Sequence, residues 1–298
     1  MHDPFGRPVK SLRFSLTARC DMKCSYCHKE GQRASEFEMT APEIERIIEI
    51  AAMAGIVSIK FTGGEPLLRE DIQDIIKSTS ARIPDVSITT NGTKLAGLAV
   101  PLKSVGLTRV NVSLDSLDRT RYIELTGMDK IDDVLSGIRS AVSAGLLPVK
   151  VNIVALPDTP VDDIFATMEG AWDLGAIPQI IQQVGKSPDS STFDSVEQII
   201  KEKATRQIER EMHSRSRYFI PDAEGYEHEV ELVRPMHNTR FCANCTRLRV
   251  TSDGHLKPCL MNNDGLIDII GPIRNDATNE ELLLLFSKAV NNRRPYWT

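Results

Sequence analysis

From residue 12 to about residue 184 the chain alternates short β-branched runs with segments of helical periodicity, and no other feature limits its fold as much. The runs read L-R-F-S-L, S-I-K-F-T, V-S-I-T-T, R-V-N-V-S-L, V-K-V-N-I-V and Q-I-I-Q-Q-V. Between them apolar residues recur at i, i+3 and i+4, as over residues 44–54. Thr40 and Glu43 form a capping box with Pro42 in the first turn, and Gly55 stands where that helix should stop. Further helices are expected after Arg69 and over residues 131–144, the latter closed by Gly145. Strict β–α alternation implies parallel strands joined by right-handed crossovers. Six units fall short of the eight that close a full barrel. The expected fold is therefore α/β, an open partial (β/α)6 barrel of the TIM type.

Beyond the sixth run the pattern changes. Residues 185–195 read as a polar linker or lid, and Asp194 with Glu197 opens a charged helix running to Glu211, expected to be a solvated face. After Tyr218 the alternation stops. Strand-like pieces (227–233 and 247–251), a hairpin signal at Asp253-Gly254 and a last amphipathic helix follow. The net charge of −5 offers no footprint for nucleic acid, so an anionic ligand must meet a local basic pocket. With no N-terminal apolar h-region and no apolar run of membrane-spanning length, the chain reads as cytoplasmic, without a membrane partner.

The six cysteines fall in two triplets: Cys20, Cys24 and Cys27, spaced C-x3-C-x2-C, and Cys242, Cys245 and Cys259, spaced C-x2-C-x13-C. Disulfides within triplets would strand one thiol in each, so two metal or cluster sites account for them better. Thiolates are soft ligands that suit Fe–S clusters, Zn or Cu(I). Three on one loop leave a four-iron cluster one iron open to another ligand, as catalysis requires. For the second triplet, spacing alone favours a structural zinc completed by His255 or His237.

Two more segments turn these sites into a resemblance. The second strand ends in G-G-E-P (Gly63 to Pro66), where glycines let backbone approach a ligand closely, and an aromatic, Tyr26, precedes the third cysteine. Together with C-x3-C-x2-C, these resemble the radical S-adenosylmethionine (SAM) superfamily. The C-terminal stretch C-x2-C-x-R-L-R-x-T-x-D-G-x-L-x-P-C is similar to the signature of the molybdenum cofactor biosynthesis protein A family, the GTP 3′,8-cyclases. That resemblance implies two 4Fe–4S clusters, the first chelating SAM and the second binding guanine. It divides the chain into a barrel over residues 1–217 and a cluster-binding region over 218–298. It carries SAM contacts to Tyr26, Gly64 and Ser113, and GTP contacts to Arg13, Lys60, Thr89, Lys150, Arg247 and Arg249.

The implied reaction starts with an electron from an external reductant, which splits SAM to a 5′-deoxyadenosyl radical. That radical takes the 3′ hydrogen of GTP, and the ribose then bonds to C8 of guanine. The implied partner downstream is cyclic pyranopterin monophosphate synthase, and the implied oligomer a homodimer. Arg247 and Arg249 share a strand face by period two, so both can reach one pocket. Asn91 is expected to shape a turn, and His28 and Trp172 to be structural. Two features depart from the family: the sixth strand lacks the usual Arg and Met, and the chain ends R-R-P-Y-W-T in place of a Gly-Gly tail. The rival readings are a radical SAM peptide- or protein-modifying enzyme with an auxiliary cluster, and a zinc-stabilised nucleic-acid or scaffold protein.

Overall fold

The computed structural model describes residues 1–32, 37–185, 189–261 and 263–297. Strands β1 (Ser11–Ser15), β2 (Ser58–Thr62), β3 (Asp85–Thr90), β4 (Arg109–Ser113), β5 (Lys150–Ala155) and β6 (Ile177–Gln182) lie parallel and adjacent in chain order. Helices α1 (Ala41–Met53), α2 (Ile72–Ser80), α3 (Leu95–Ser104), α4 (Arg119–Thr126), α5 (Ile131–Ser143) and α6 (Val161–Asp173) cross over between them. The expected capping box of α1 is formed: Glu43 N–H donates to Thr40 Oγ1 at 3.4 Å and Thr40 N–H to Glu43 Oε2 at 2.7 Å.

The charged run after the barrel is not one helix. It forms α7 (Ser191–Lys203), then β7 (Arg206–Glu209), which pairs antiparallel with β8 (Ser216–Pro221). α7 thus begins inside the expected polar loop, of which residues 186–188 lie outside the described residues. Cross-strand contacts override the helical charge pattern: the Arg206 guanidinium lies 3.6 Å from the Phe219 ring centroid and bonds Glu227 at 2.9 Å.

The C-terminal third lengthens the barrel sheet on both sides. β9 (Glu227–Val233) pairs antiparallel with β8 and parallel with β6. α8 (Thr239–Ala243) leads to β10 (Arg247–Val250), which pairs parallel with β1. β11 (His255–Lys257) and β12 (Ile267–Asp268) extend that edge, and α9 (Ile270–Arg274) and α10 (Asn279–Asn291) complete the chain. One sheet results, ordered β12-β11-β10-β1-β2-β3-β4-β5-β6-β9-β8-β7, open between its end strands. The 217/218 divide falls inside β8. Trp172 is structural, as expected: its Nε1 donates to Glu229 O at 2.8 Å and its ring stacks on His228. Among the described residues no helix is long and apolar enough to cross a membrane.

Strands of parallel sheets, buried on both faces, usually read as continuous apolar runs. Here they alternate. Leu12 and Phe14, Ile59 and Phe61, Val86 and Ile88, Val110 and Val112, and Val151 and Ile153 are buried in the apolar core. Their neighbours Arg13, Lys60, Thr89, Asn111 and Asn152 face inward. A full TIM barrel fills its centre with branched side chains; this one leaves a cavity into which these polar side chains face.

Candidate active site

β1 runs directly into the first cysteine loop, and the next strand end holds that loop in place. Gly64 N–H donates to Thr17 O and Glu65 N–H to Arg19 O, both at 2.7 Å. A Cβ on Gly64 would lie 2.1 Å from Arg19 O, and one on Gly63 2.6 Å from Thr17 O. The close approach that the glycines were expected to offer a ligand is used first by the backbone of the cysteine loop. Glu65 ties the same corner to β3, accepting from Leu67 N–H, Thr90 Oγ1 and Asn91 N–H at 2.9, 2.7 and 2.6 Å. Burial outweighs these bonds and pushes its carboxyl up to about 7. Asn91 shapes the turn as expected, its Oδ1 accepting from Thr93 N–H at 3.0 Å.

Within the loop, Cys27 N–H donates to Cys24 O at 3.2 Å, closing a turn, and Met22 N–H lies 3.4 Å from Cys20 Sγ. All three thiols are free and line the cavity. Burial, then Asp115 and the neighbouring thiols, pushes Cys24 up to about 12, and burial raises Cys20. Such crowded thiols ionise readily only around a cation, so the donor set fits an iron–sulfur cluster. Tyr26 donates to Asp115, whose second oxygen accepts from Val154 N–H at 2.8 Å. Gly64 and Ser113 line the same end of the strands.

The second triplet repeats the turn. Cys245 N–H donates to Cys242 O at 3.2 Å at the end of α8, and Asn238 caps that helix through Phe241 N–H at 3.0 Å. Burial opposes ionisation of Cys245, but Arg293 and Arg247 outweigh it and lower its pKa. Cys242, Cys245 and Cys259 line the same cavity as the first triplet. The histidines that spacing proposed as a zinc ligand are not among the residues that line the cavity. His255 Nδ1 is 3.3 Å from Asp253, and His237 packs on Trp297 with centroids 4.1 Å apart.

Between the triplets the strand register sets cations abreast. Arg249 is the Cα partner of Arg13, and Arg13 of Lys60, so three positive side chains stand on adjacent strands. Like charges so placed repel. Glu30, just after the cysteine loop, answers two of them, with Arg13 Nη2 and Arg249 Nη1 each 2.8 Å from its carboxylate. Burial alone would raise Glu30; Arg13 and Arg249 hold it at about 2. Among the described residues Lys60 donates at 2.7 Å only to a neutral group, Asn111 Oδ1, and burial followed by Arg109, Arg13 and Arg247 lowers its pKa well below normal. Arg247 is lowered to about 9 by burial, then by Arg13 and Arg249. Lys150 opens β5 and pairs with the buried Glu231 of β9.

Every site residue expected from the sequence, Thr89 included, lines this cavity of about 470 Å³, a size suited to a small-molecule ligand. His28, expected to be structural, also lines it. On the sixth strand, which carries neither an Arg nor a Met, Gln179 and Gln182 line the cavity. Sequence reasoning missed Glu30, Arg215 and His213. Glu30 follows the cysteines too closely to show a period, and His213 and Arg215 lie just past the charged run, which ends at Glu211, in a stretch that carries no motif.

Residues 14–171 match the family model of the Radical SAM superfamily and residues 178–298 that of Molybdenum Cofactor Synthesis C. Two proteins described as probable GTP 3′,8-cyclase, from Pyrococcus horikoshii and Thermococcus kodakarensis, are 47% and 46% identical. Those matches cover 99% and 100% of this chain and 98% and 99% of theirs. Among solved structures, anSMEcpe with bound AdoMet has a TM-score of 0.66 at 16% identity, covering 95% of this chain and 82% of that one. Streptococcus suis SuiB has a TM-score of 0.65 at 17% identity, covering 89% of this chain and 64% of that one. At such identity the likeness concerns the fold.

Proposed function

Because the chain belongs to the radical SAM superfamily and, within it, to the GTP 3′,8-cyclases, we propose that it converts GTP to 3′,8-cyclo-7,8-dihydro-GTP, the first step towards molybdenum cofactor. Cys20, Cys24 and Cys27 would hold a 4Fe–4S cluster with SAM, and Cys242, Cys245 and Cys259 a second cluster. When bound, the first cluster and SAM supply the radical that takes the 3′ hydrogen of GTP.

The protein's part is to grip, orient and exclude water. Tyr26, Gly64 and Ser113 hold SAM where β1, β2 and β4 end. Arg13, Lys60, Thr89, Lys150, Arg247 and Arg249 hold the nucleotide. Its phosphates supply the countercharge that Lys60 and Arg247 lack in the described structure, through the charge-assisted bonds such groups favour. Fixing one C–H beside one radical is the contribution a protein makes to radical chemistry. Residues 1–217 form the radical SAM partial barrel and 218–298 the region that carries the second cluster. An external one-electron reductant supplies the electrons, and cyclic pyranopterin monophosphate synthase takes the product.

The observation that carries this reading is the single cavity with one cysteine triplet at each side and buried, under-compensated cations between them. A radical SAM enzyme acting on peptides has no need of that row of cations. The test is anaerobic reconstitution with iron and sulfide, followed by SAM, dithionite and GTP. Formation of 5′-deoxyadenosine together with the cyclic product is expected. SAM cleavage without cyclic product would refute the choice of substrate, and no cleavage would refute the whole assignment.

A further inference from the structure

The hairpin of β7 and β8 lies outside the six β–α units, yet its tip reaches the cavity. Arg210 N–H donates to Arg215 O at 2.8 Å and closes the tip. The tip is fastened to the second cysteine loop at three points. His213 N–H donates to Asn244 O at 3.0 Å, Asn244 Nδ2 donates to Ser214 Oγ at 2.9 Å, and the His213 ring stacks on Phe241 with centroids 4.0 Å apart. Asn244 lies between Cys242 and Cys245, so this hairpin ties the β9 wing of the sheet to the cysteine loop that precedes β10.

The fastened tip holds Arg215 over a carboxylate that already has enough partners. Glu231 is fully buried and faces Lys150, Arg210 (Nη1 at 3.4 Å) and Arg215 (Nη1 at 2.9 Å). Three cations share one carboxylate, and two of them, Lys150 and Arg215, are themselves largely buried, so the wall carries surplus positive charge that an anionic ligand would relieve. Arg215 is also the member with donors to spare. Its Nη1 approaches Glu231 Oε1, yet that oxygen has no hydrogen bond, and Arg215 Nε is buried without a partner among the described residues. A guanidinium fork with unspent N–H groups, facing a cavity, suits phosphate oxygens.

We propose that Arg215, held by the β7–β8 hairpin and assisted by Lys150, is an anchor for the phosphate chain of the nucleotide and makes the site selective for the triphosphate over the bare nucleoside. The inference rests on the reading of the substrate as GTP. The second cysteine loop and this anchor are fastened to each other, so the base and phosphate ends of the ligand are gripped by one preassembled unit.

The test compares GTP and guanosine binding to the cluster-reconstituted protein by anaerobic equilibrium dialysis. The parent protein is expected to prefer GTP. In Arg215→Ala, GTP affinity should fall at least tenfold while guanosine affinity stays within twofold, and KM for GTP should rise more than kcat falls. Arg215→Lys keeps a positive charge beside Glu231, so the wall remains compensated. It should lose several-fold in GTP affinity and again leave guanosine unchanged. If both ligands weaken together, or neither weakens, in the Lys variant, Arg215 is not a phosphate anchor. If the parent protein itself shows no preference for GTP, the reading of the substrate fails and this inference with it.

Discussion

Gly64→Ala tests whether the second strand end holds the first cysteine loop. The added Cβ would lie 2.1 Å from Arg19 O, 2.5 Å from Arg19 C and 2.8 Å from Ala18 O, all backbone atoms with no side chain to swing aside. Normal contact for a carbon is about 3.4 Å or more, so the two segments must part by roughly an ångström. The hydrogen bonds Gly64 N–H to Thr17 O and Glu65 N–H to Arg19 O lie on either side of the clash and would open. Two such bonds contribute about 1 kcal/mol each, and overpacking costs about 1–3 kcal/mol. The expected loss is therefore about 3–5 kcal/mol, concentrated at the cysteine loop. On anaerobic reconstitution the variant should lose roughly half its iron, keeping the cluster of the second triplet, and SAM cleavage should be lost with the first cluster. Gly97→Ala is the control. Gly97 lies in α3 with nothing within 4 Å of its Cβ position, so alanine should stabilise by about 0.5–1 kcal/mol with iron content unchanged. If Gly64→Ala retains full iron and full SAM cleavage, the glycine pair does not support the loop and the steric argument is wrong.

Cys259→Ala is expected to abolish GTP turnover and retain uncoupled SAM cleavage, measured as 5′-deoxyadenosine formed without cyclic product; loss of all cleavage would mean the second triplet does more than hold substrate. Acid should weaken the fold through Glu231. Arg215 and Lys150 overcome the burial penalty and hold its pKa at about 2, below the ordinary 4.5. A depressed carboxylate contributes stability present above about pH 4.5 and lost as pH falls through about 2, on the order of 3 kcal/mol here. Denaturant titration of the cluster-free chain at pH 7 should therefore show Glu231→Gln weakened by an amount of that order, and the variant should lose less on acidification than the parent. Equal acid slopes for the two proteins would contradict that coupling.

Much of the site was legible because its ligand types occur in tight local groups. C-x3-C-x2-C, G-G-E-P and C-x2-C-x-R-L-R each lie on one loop or strand, and local spacing is what a sequence displays. The alternation of polar and apolar residues along β1 to β5 also showed the polar interior, since a packed barrel would have put branched residues at 13, 60, 111 and 152. At Arg13 and Lys60 that signal was used, as ligand contacts, but at Asn111 and Asn152 it went unread.

The sequence by itself determined the alternation of the six β–α units, the capping box of α1 and the two thiol groups, all products of contacts within a few residues. Only the tertiary structure decided which distant groups meet. Parallel pairing of β10 with β1 sets Arg249 beside Arg13 and Lys60, and Glu30 is buried between the first two. Antiparallel pairing draws Arg206 to Glu209 out of a helical charge pattern into a hairpin, whose tip places Arg215 against Glu231. Register between strands and burial of charge are properties of the assembled sheet, and no local spacing encodes them.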